Sequence, residues 1–451
     1  MNQPSQIAET LNRTVKIALD TGEAATVDEA EKIFAGYRMQ IIAGPDIAHS
    51  AVMQAGLLTA VNCAARCLLG GVTVVGAMGP LRVPVPGFGD LAQAVAALGG
   101  VHSGSAVPQS PTLVFGDVSG HGLDHLSVRA TFNEWCGGAV PVASGIRLDE
   151  QGTFTPAGVL AGAIGVAEIF QRLRGGCPLA CRRAAGLDLW RPEHDWLRGE
   201  QAAPLTLLPA TAWIVGLGNL GQAYLWTLGL LPYGEKMPDL VLQDFDVLAQ
   251  SNLSTSLLTF PPLIGRRKSR ALAEWADRRG FGTTIIERRF ADDFRVGPLE
   301  PQVALIGVDN PLARRSVEDV GFGRIVEAGL GAGPKDYLGI DVHTFPAERP
   351  ARDVWRDADK AEVNMSRPAY QALLQASGDP CGTLQLAGRS IGAPFVGAVA
   401  AALVVAELVR LAIGAPRYEL VSCHLRDLDG RTIITGQPWL PFNPGSVPAA
   451  G

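Results

Sequence analysis

Residues 216–221 read Gly-Leu-Gly-Asn-Leu-Gly, closing a short apolar run and opening an apolar helical pattern. Glycines at Gly216, Gly218 and Gly221 suit a strand–turn–helix loop. The first allows a tight turn, the second a close backbone approach to phosphate, the third close packing of helix on strand. Such a loop serves NAD and ATP equally well, so the residues downstream have to separate them.

A second strand, 240–244, ends on Asp244, where an acid commonly binds ribose. Asp246 and Asn252 follow, and then Lys268 at the start of a helical pattern. A further strand, 303–308, delivers Asp309 and Asn310 to the carboxyl edge of the sheet, where ligands bind in such folds. Polyphosphate chemistry uses this set. An acid can hold Mg²⁺ against phosphate oxygens. A lysine and an asparagine can neutralise and orient charge during an in-line displacement. Hydride transfer needs none of them, which disfavours an NAD-dependent oxidoreductase.

These residues need a scaffold. Apolar strands alternating with helical patterns imply an α/β chain of mainly parallel sheets covered by helices. A chain of 451 residues suffices for two or three domains. The stretch 176–204 is rich in Pro, Arg and Ala and reads as a linker between units 1–175 and 205–451. The units share a pattern. Asp124 and Arg129 precede an apolar run, 139–145, as Asp309 and Arg314 precede 324–329. Glu168 and Glu407 each stand on a later apolar helix. This is the mark of an internal duplication whose first copy lacks a glycine loop. Asp124 lies 44 residues before Glu168, and Asp309 lies 98 before Glu407, so the second copy holds about 54 extra residues. They fall at about 331–390 and contain Cys381. An exposed cysteine between Pro and Gly, beside a helix start, could act as a nucleophile; the alternative is a small core residue.

Bulk properties exclude several classes. The net charge is −6 with no Lys/Arg-rich block, which argues against a nucleic-acid partner. The polar N-terminus is unlike a signal peptide. The apolar stretch 392–405 soon meets Glu407 and Arg410, so a buried helix is expected rather than a membrane span. Seven cysteines without a Cys-x-x-Cys pair imply a reducing cytoplasm and no cysteine-built zinc site.

The chain resembles the ThiF/MoeB and ubiquitin-activating (E1) family. The resemblance covers roughly 205–330. It rests on the glycine loop, Asp244 and Asp246, Ser251 to Leu253, Gly265 with Lys268, and Asp309, Asn310 and Arg314. It implies tandem Rossmann-like adenylation folds, with ribose bound by Asp244, phosphates by Asn252 and Lys268, and Mg²⁺ by Asp309. Asp246, Asn310 and Arg314 would complete the ATP site. One departure is Thr255, where the family usually has an arginine facing phosphate. Tyr37 to Ile41 is similar to the family's N-terminal R-Q-I segment, whose arginine reaches the partner copy's ATP, and this implies that role for Arg38. An inactive copy joined to an active one with a cysteine-bearing insertion looks like the BilD type of E1, from bacterial ubiquitin-like conjugation operons of antiviral defence. The expected function is ATP-dependent activation of a ubiquitin-like protein ending in glycine, thioester formation on Cys381, and transfer to an E2-like protein. The alternatives are an adenylating enzyme for a sulfur carrier, without a thioester, and a non-catalytic scaffold.

Overall fold

In the computed structural model, residues 4–450 are described apart from 119–122, 124–125, 200–201, 357–362 and 438–441. The fold is α/β, built on two similar sheets. The first contains β1 (Met39–Ala43), β2 (Val72–Val75), β3 (Gly100–Ser103), β4 (Thr112–Phe115), β5 (Ser127–Asn133), β6 (Cys136–Pro141) and β7 (Ala185–Asp188). A short β8 (Leu207–Pro209) precedes the second sheet. That sheet holds β9 (Thr211–Val215), β10 (Asp239–Gln243), β11 (Gly282–Ile286), β12 (Val303–Ile306), β13 (Arg324–Leu330), β14 (Gly339–Phe345), β15 (Tyr418–His424) and β16 (Asp427–Thr435). A final β17 (Ser446–Pro448) pairs with β8.

The strand orders are β3-β2-β1-β4-β5-β6-β7 and β11-β10-β9-β12-β13-β14-β15-β16, so the second sheet repeats the first and adds one edge strand. The first five strands of each run parallel. The remainder are antiparallel. Central strands such as Val303–Ile306 are buried at every position, as expected where helices cover both faces.

The two sheets repeat one strand order, but the register of the repeat differs from the sequence reading. Asp124 lies outside the described residues. Asp309 stands three residues past β12, and the described aspartate past β4 is Asp117, two residues on. The counterpart of β13 is β5, while 139–145 continues β6, an antiparallel strand. The short apolar runs of β5 and β6 look alike, and only strand direction tells them apart. The insertion shifts accordingly. Residues 142–154 separate β6 from the Thr155–Arg174 helix, and residues 346–393 separate β14 from the Pro394–Ala412 helix. The expected range from 331 takes in β14, a strand of the sheet, because 339–345 pairs on both sides.

One smaller expectation also changes. The presumed linker 176–204 contains β7, which pairs with β6, and Trp196 in it is buried against Cys136 and Val140. Its Pro and Arg content hid a strand four residues long. The hairpin of β15 and β16 turns at Leu425 and Arg426, where Leu425 is buried and donates its N–H to the Leu338 carbonyl.

Helices Ala51–Cys67 and Thr155–Arg174 of the first copy pack on Asn219–Gly229 and Pro394–Ala412 of the second. Small residues let them approach: a Cβ on Gly158 would lie 1.9 Å from the Val52 carbonyl oxygen. The halves are also stitched by Trp226 Nε1 donating to Thr59 Oγ1 at 2.9 Å and Thr155 Oγ1 to the Leu230 carbonyl at 2.9 Å. Pro394–Ala412 is long and apolar enough to cross a membrane, yet 94% of its apolar window is buried in this core.

Candidate active site

A cavity of about 530 Å³ opens at the carboxyl ends of β9, β10 and β12. The glycine loop forms its floor. Gly216 has φ of +82°, and a Cβ there would strike Gly307. A Cβ on Gly221 would lie 1.9 Å from the Gly216 carbonyl oxygen. Gly218 differs: nothing lies within 4 Å of where its Cβ would be. Protein packing does not require that glycine, so the open space above it suits a ligand approaching backbone. Gly218 is the N-cap of Asn219–Gly229 and offers no side-chain cap, which leaves the first N–H groups and the positive end of the helix dipole available to an anion.

Asp244 is buried and braces the loop. Its Oδ2 accepts from Leu217 N–H at 2.7 Å and its Oδ1 from Asp246 N–H at 2.8 Å. Each oxygen keeps a second lone pair for a ribose hydroxyl. Lys268 begins the Lys268–Arg279 helix, and its Nζ lies 2.9 Å from Asp246 Oδ2 and 3.8 Å from Asp244 Oδ2. Its Nζ is thus held beside two carboxylates at the cavity wall.

Asn252 accepts from Ala249 N–H through Oδ1 at 2.9 Å. The loop after it is held from the other copy. Arg66, buried on the Ala51–Cys67 helix, donates to the carbonyls of Leu253 (2.8 Å), Thr259 (3.0 Å) and Leu257 (3.0 Å). Burial lowers the Arg66 pKa to about 10. Nothing in the local sequence pattern around Arg66 announces this role.

Asp309 and Asn310 line the cavity. Asn310 caps the next helical turn by accepting from Leu312 N–H at 2.9 Å. Asp309 has no side-chain partner at hydrogen-bond or ion-pair distance among the described residues. No cluster of three His, Cys, Asp or Glu side chains able to hold a metal is found among them either. Any cation there would take most of its ligands from a phosphate and from water. Arg314 also lines the cavity, but its Nε donates to the Val308 carbonyl at 2.8 Å and lies 3.1 Å from Glu327 Oε1. It therefore fixes the Asp309 loop.

The structure does not bring Arg38 to the cavity. Arg38 is exposed just before β1, at the amino end of the first sheet. The N-terminal arginine that does arrive is Arg13, which sequence reasoning missed. Its N–H donates to Ser254 Oγ at 3.0 Å, beside the Asn252 turn. Burial, and then neighbouring Arg389, lower its pKa to about 10, while Asp309 acts the other way. The misplacement has a simple origin: Arg38 and Gln40 match the motif, but the apolar run that follows them is a central strand. Arg288, Arg289 and Arg389 complete a strongly cationic lining.

Cys381 is exposed, and every other cysteine is buried. Burial raises the thiol pKa values of Cys63, Cys181 and Cys423 to about 12. Cys381 is the second residue of the Pro380–Gly388 helix, outside the cavity lining. That helix ends next to Arg389, which does line the cavity, so one helix length of roughly 12 Å separates thiol from rim.

Residues 38–189 match the family model described as the BilD N-terminal domain, and residues 208–415 match the BilD C-terminal domain. A relative described as bacterial E1-like protein BilD, from Collimonas sp. (strain OK412), is 42% identical over 435 residues, which is 94% of each chain. Among solved structures, Escherichia coli MccB is 12% identical over 51% of this chain and 63% of its own, with a TM-score of 0.34. The E. coli tRNA N6-threonylcarbamoyladenosine dehydratase TcdA is 14% identical over 45% of this chain and 84% of its own, with a TM-score of 0.29. On the two domain matches and the near full-length relative, the chain belongs to the BilD family of bacterial E1-like proteins.

Proposed function

We propose that the chain uses ATP to activate the C-terminal glycine of a ubiquitin-like protein. The observation that carries this reading is the convergence, on one cavity, of an open helix N-terminus, the cations Arg13 and Lys268, and the unpaired carboxylate of Asp309. The N-terminus and the cations hold phosphates. Asp244 would hold ribose and Asp309 would hold Mg²⁺, which would supply positive charge to the phosphates; one carboxylate suffices where the other ligands are phosphate and water. The partner's terminal carboxylate attacks the α-phosphorus and pyrophosphate leaves, giving an acyl-adenylate. Arg13 and Lys268 stabilise the charge that develops on the phosphate oxygens.

A thioester step follows on Cys381, supported by its being the exposed cysteine and by its place on the insertion. Its thiolate attacks the acyl carbonyl and AMP leaves. The distance to the rim requires the Pro380–Gly388 segment to move, as lids and loops do in such cycles. The thioester then passes to an E2-like acceptor. The test is ATP–pyrophosphate exchange that depends on the ubiquitin-like partner, followed by a search for a thiol-labile adduct. Cys381→Ser should keep exchange and abolish the adduct. Transfer to the acceptor by Cys381→Ser would leave direct use of the adenylate, as in sulfur-carrier activation. No exchange by the wild-type chain with its partner would leave a binding scaffold.

A further inference from the structure

The phosphate-facing arginine that the E1 pattern places three residues after Asn252 is absent, and Thr255 stands there. The cavity shows what fills the gap. Thr255 is buried in the wall, and Gly392 packs on it so closely that an added Cβ would lie 2.8 Å from Thr255 Cγ2. The chain that makes this contact, residues 389–392, brings its own arginine to the cavity. Thr14 Oγ1 donates to the Gly392 carbonyl at 3.0 Å, which ties this segment to the one carrying Arg13. Arg389 pairs with Glu9, an ion pair whose two side chains are 37% and 43% exposed. Its Nε is buried with no hydrogen-bond partner among the described residues. A cation that lines the nucleotide cavity, with an unused buried donor and a half-exposed counter-ion, can change partner.

We propose that Arg389 supplies the phosphate charge missing at Thr255, leaving Glu9 for the phosphates when ATP binds. This rests on the cavity being the ATP site. A charge on this segment arrives from the end of the Cys381-bearing insertion rather than from the loop after Asn252. The small Thr255 leaves the volume that the Gly392 segment occupies. Glu9 keeps the guanidinium from being an uncompensated charge beside Arg13 before ATP arrives.

The test uses the full chain, with ATP binding followed by calorimetry and adenosine binding by ligand-observed NMR. Arg389→Met should weaken ATP about tenfold or more, the scale of one charge-assisted hydrogen bond, and leave adenosine unchanged. Arg389→Lys should stay within about threefold of the wild type, since it keeps the charge. Glu9→Gln breaks the same ion pair without touching the cation, so it should bind ATP at least as tightly as the wild type. ATP binding by Arg389→Met at wild-type strength overturns the proposal and leaves the ATP site standing. So does an equal loss of ATP and adenosine, or a Glu9→Gln that weakens ATP as much as Arg389→Met, since Arg389 would then be a brace. A wild-type chain that binds no ATP removes the nucleotide reading itself.

Discussion

The two copies have the same strand order and differ most where their first strands end. After β9 the chain runs through Gly216, Gly218 and Gly221 and leaves an open cavity. After β1 it enters Gly44 and then a Pro45–Ala48 turn, where Asp46 takes the space. Asp46 Oδ1 accepts from Asp117 N–H at 2.8 Å, and a Cβ on Gly116 would lie 2.2 Å from that oxygen. Arg147 then spans Asp46 (3.3 Å), Asp117 (3.6 Å) and Glu150 (2.7 Å), while Arg129 donates to the Gly116 carbonyl. One copy offers helix N–H groups and cations to an incoming anion. The other has placed its own carboxylate and arginine there. The shared strand order does not by itself leave an open cavity; a few residues at one strand end decide it.

The sharpest way to break this comparison is at the paired aspartates. Asp309→Ala should slow pyrophosphate exchange about a thousandfold, the loss expected for a Mg²⁺ ligand in the transition state. Asp117→Ala, at the matching place in the first copy, should stay within about twofold. Similar losses from both would mean that the first copy also binds nucleotide, and calorimetry would then find two ATP sites per chain.

The glycines come next. Gly221→Ala forces a Cβ onto the Gly216 carbonyl and should cost about 3 kcal/mol of stability in denaturant unfolding. Gly218→Ala meets no protein atom, so its melting temperature should hold while ATP affinity falls about tenfold. If Gly218→Ala left ATP affinity intact, the space above it would not be a phosphate position.

Arg13→Ala should slow exchange about a hundredfold, as for loss of one preorganised charge donor. Arg38→Ala should be neutral, because it is exposed at the far end of the first sheet. The reverse outcome would restore the reading made from the sequence.

The smallest expected effect joins the copies. Arg66→Met takes the guanidinium donor from the Leu253 and Thr259 carbonyls, while Leu257 keeps Asn62, and should cost about 2 kcal/mol of stability. Exchange should fall more than in a surface variant of equal stability, because the Asn252 loop is what loosens.

Much of this was legible in the residues. The glycine loop, Asp244, Asp246, Asn252, Lys268, Asp309, Asn310 and Arg314 lie within one continuous unit, and their spacing survives as cavity lining or as the frame behind it. Residues that reach the cavity across long sequence separation were not legible. Arg13 lies 241 residues from its partner Ser254, and Arg66 lies 187 from Leu253. Periodicity and motif spacing carry no information on such contacts. The motif-like surroundings of Arg38 then drew the assignment away from Arg13. Strand direction was equally invisible, and it caused both the misaligned repeat and the misplaced start of the insertion.

The grip of Arg66 makes the two halves one mechanical unit. The first half carries no glycine loop, yet its buried guanidinium shapes the loop after Asn252, and the segment before it brings Arg13 to the cavity. Cutting the chain between the halves would therefore strip the cavity of parts that the second half does not encode.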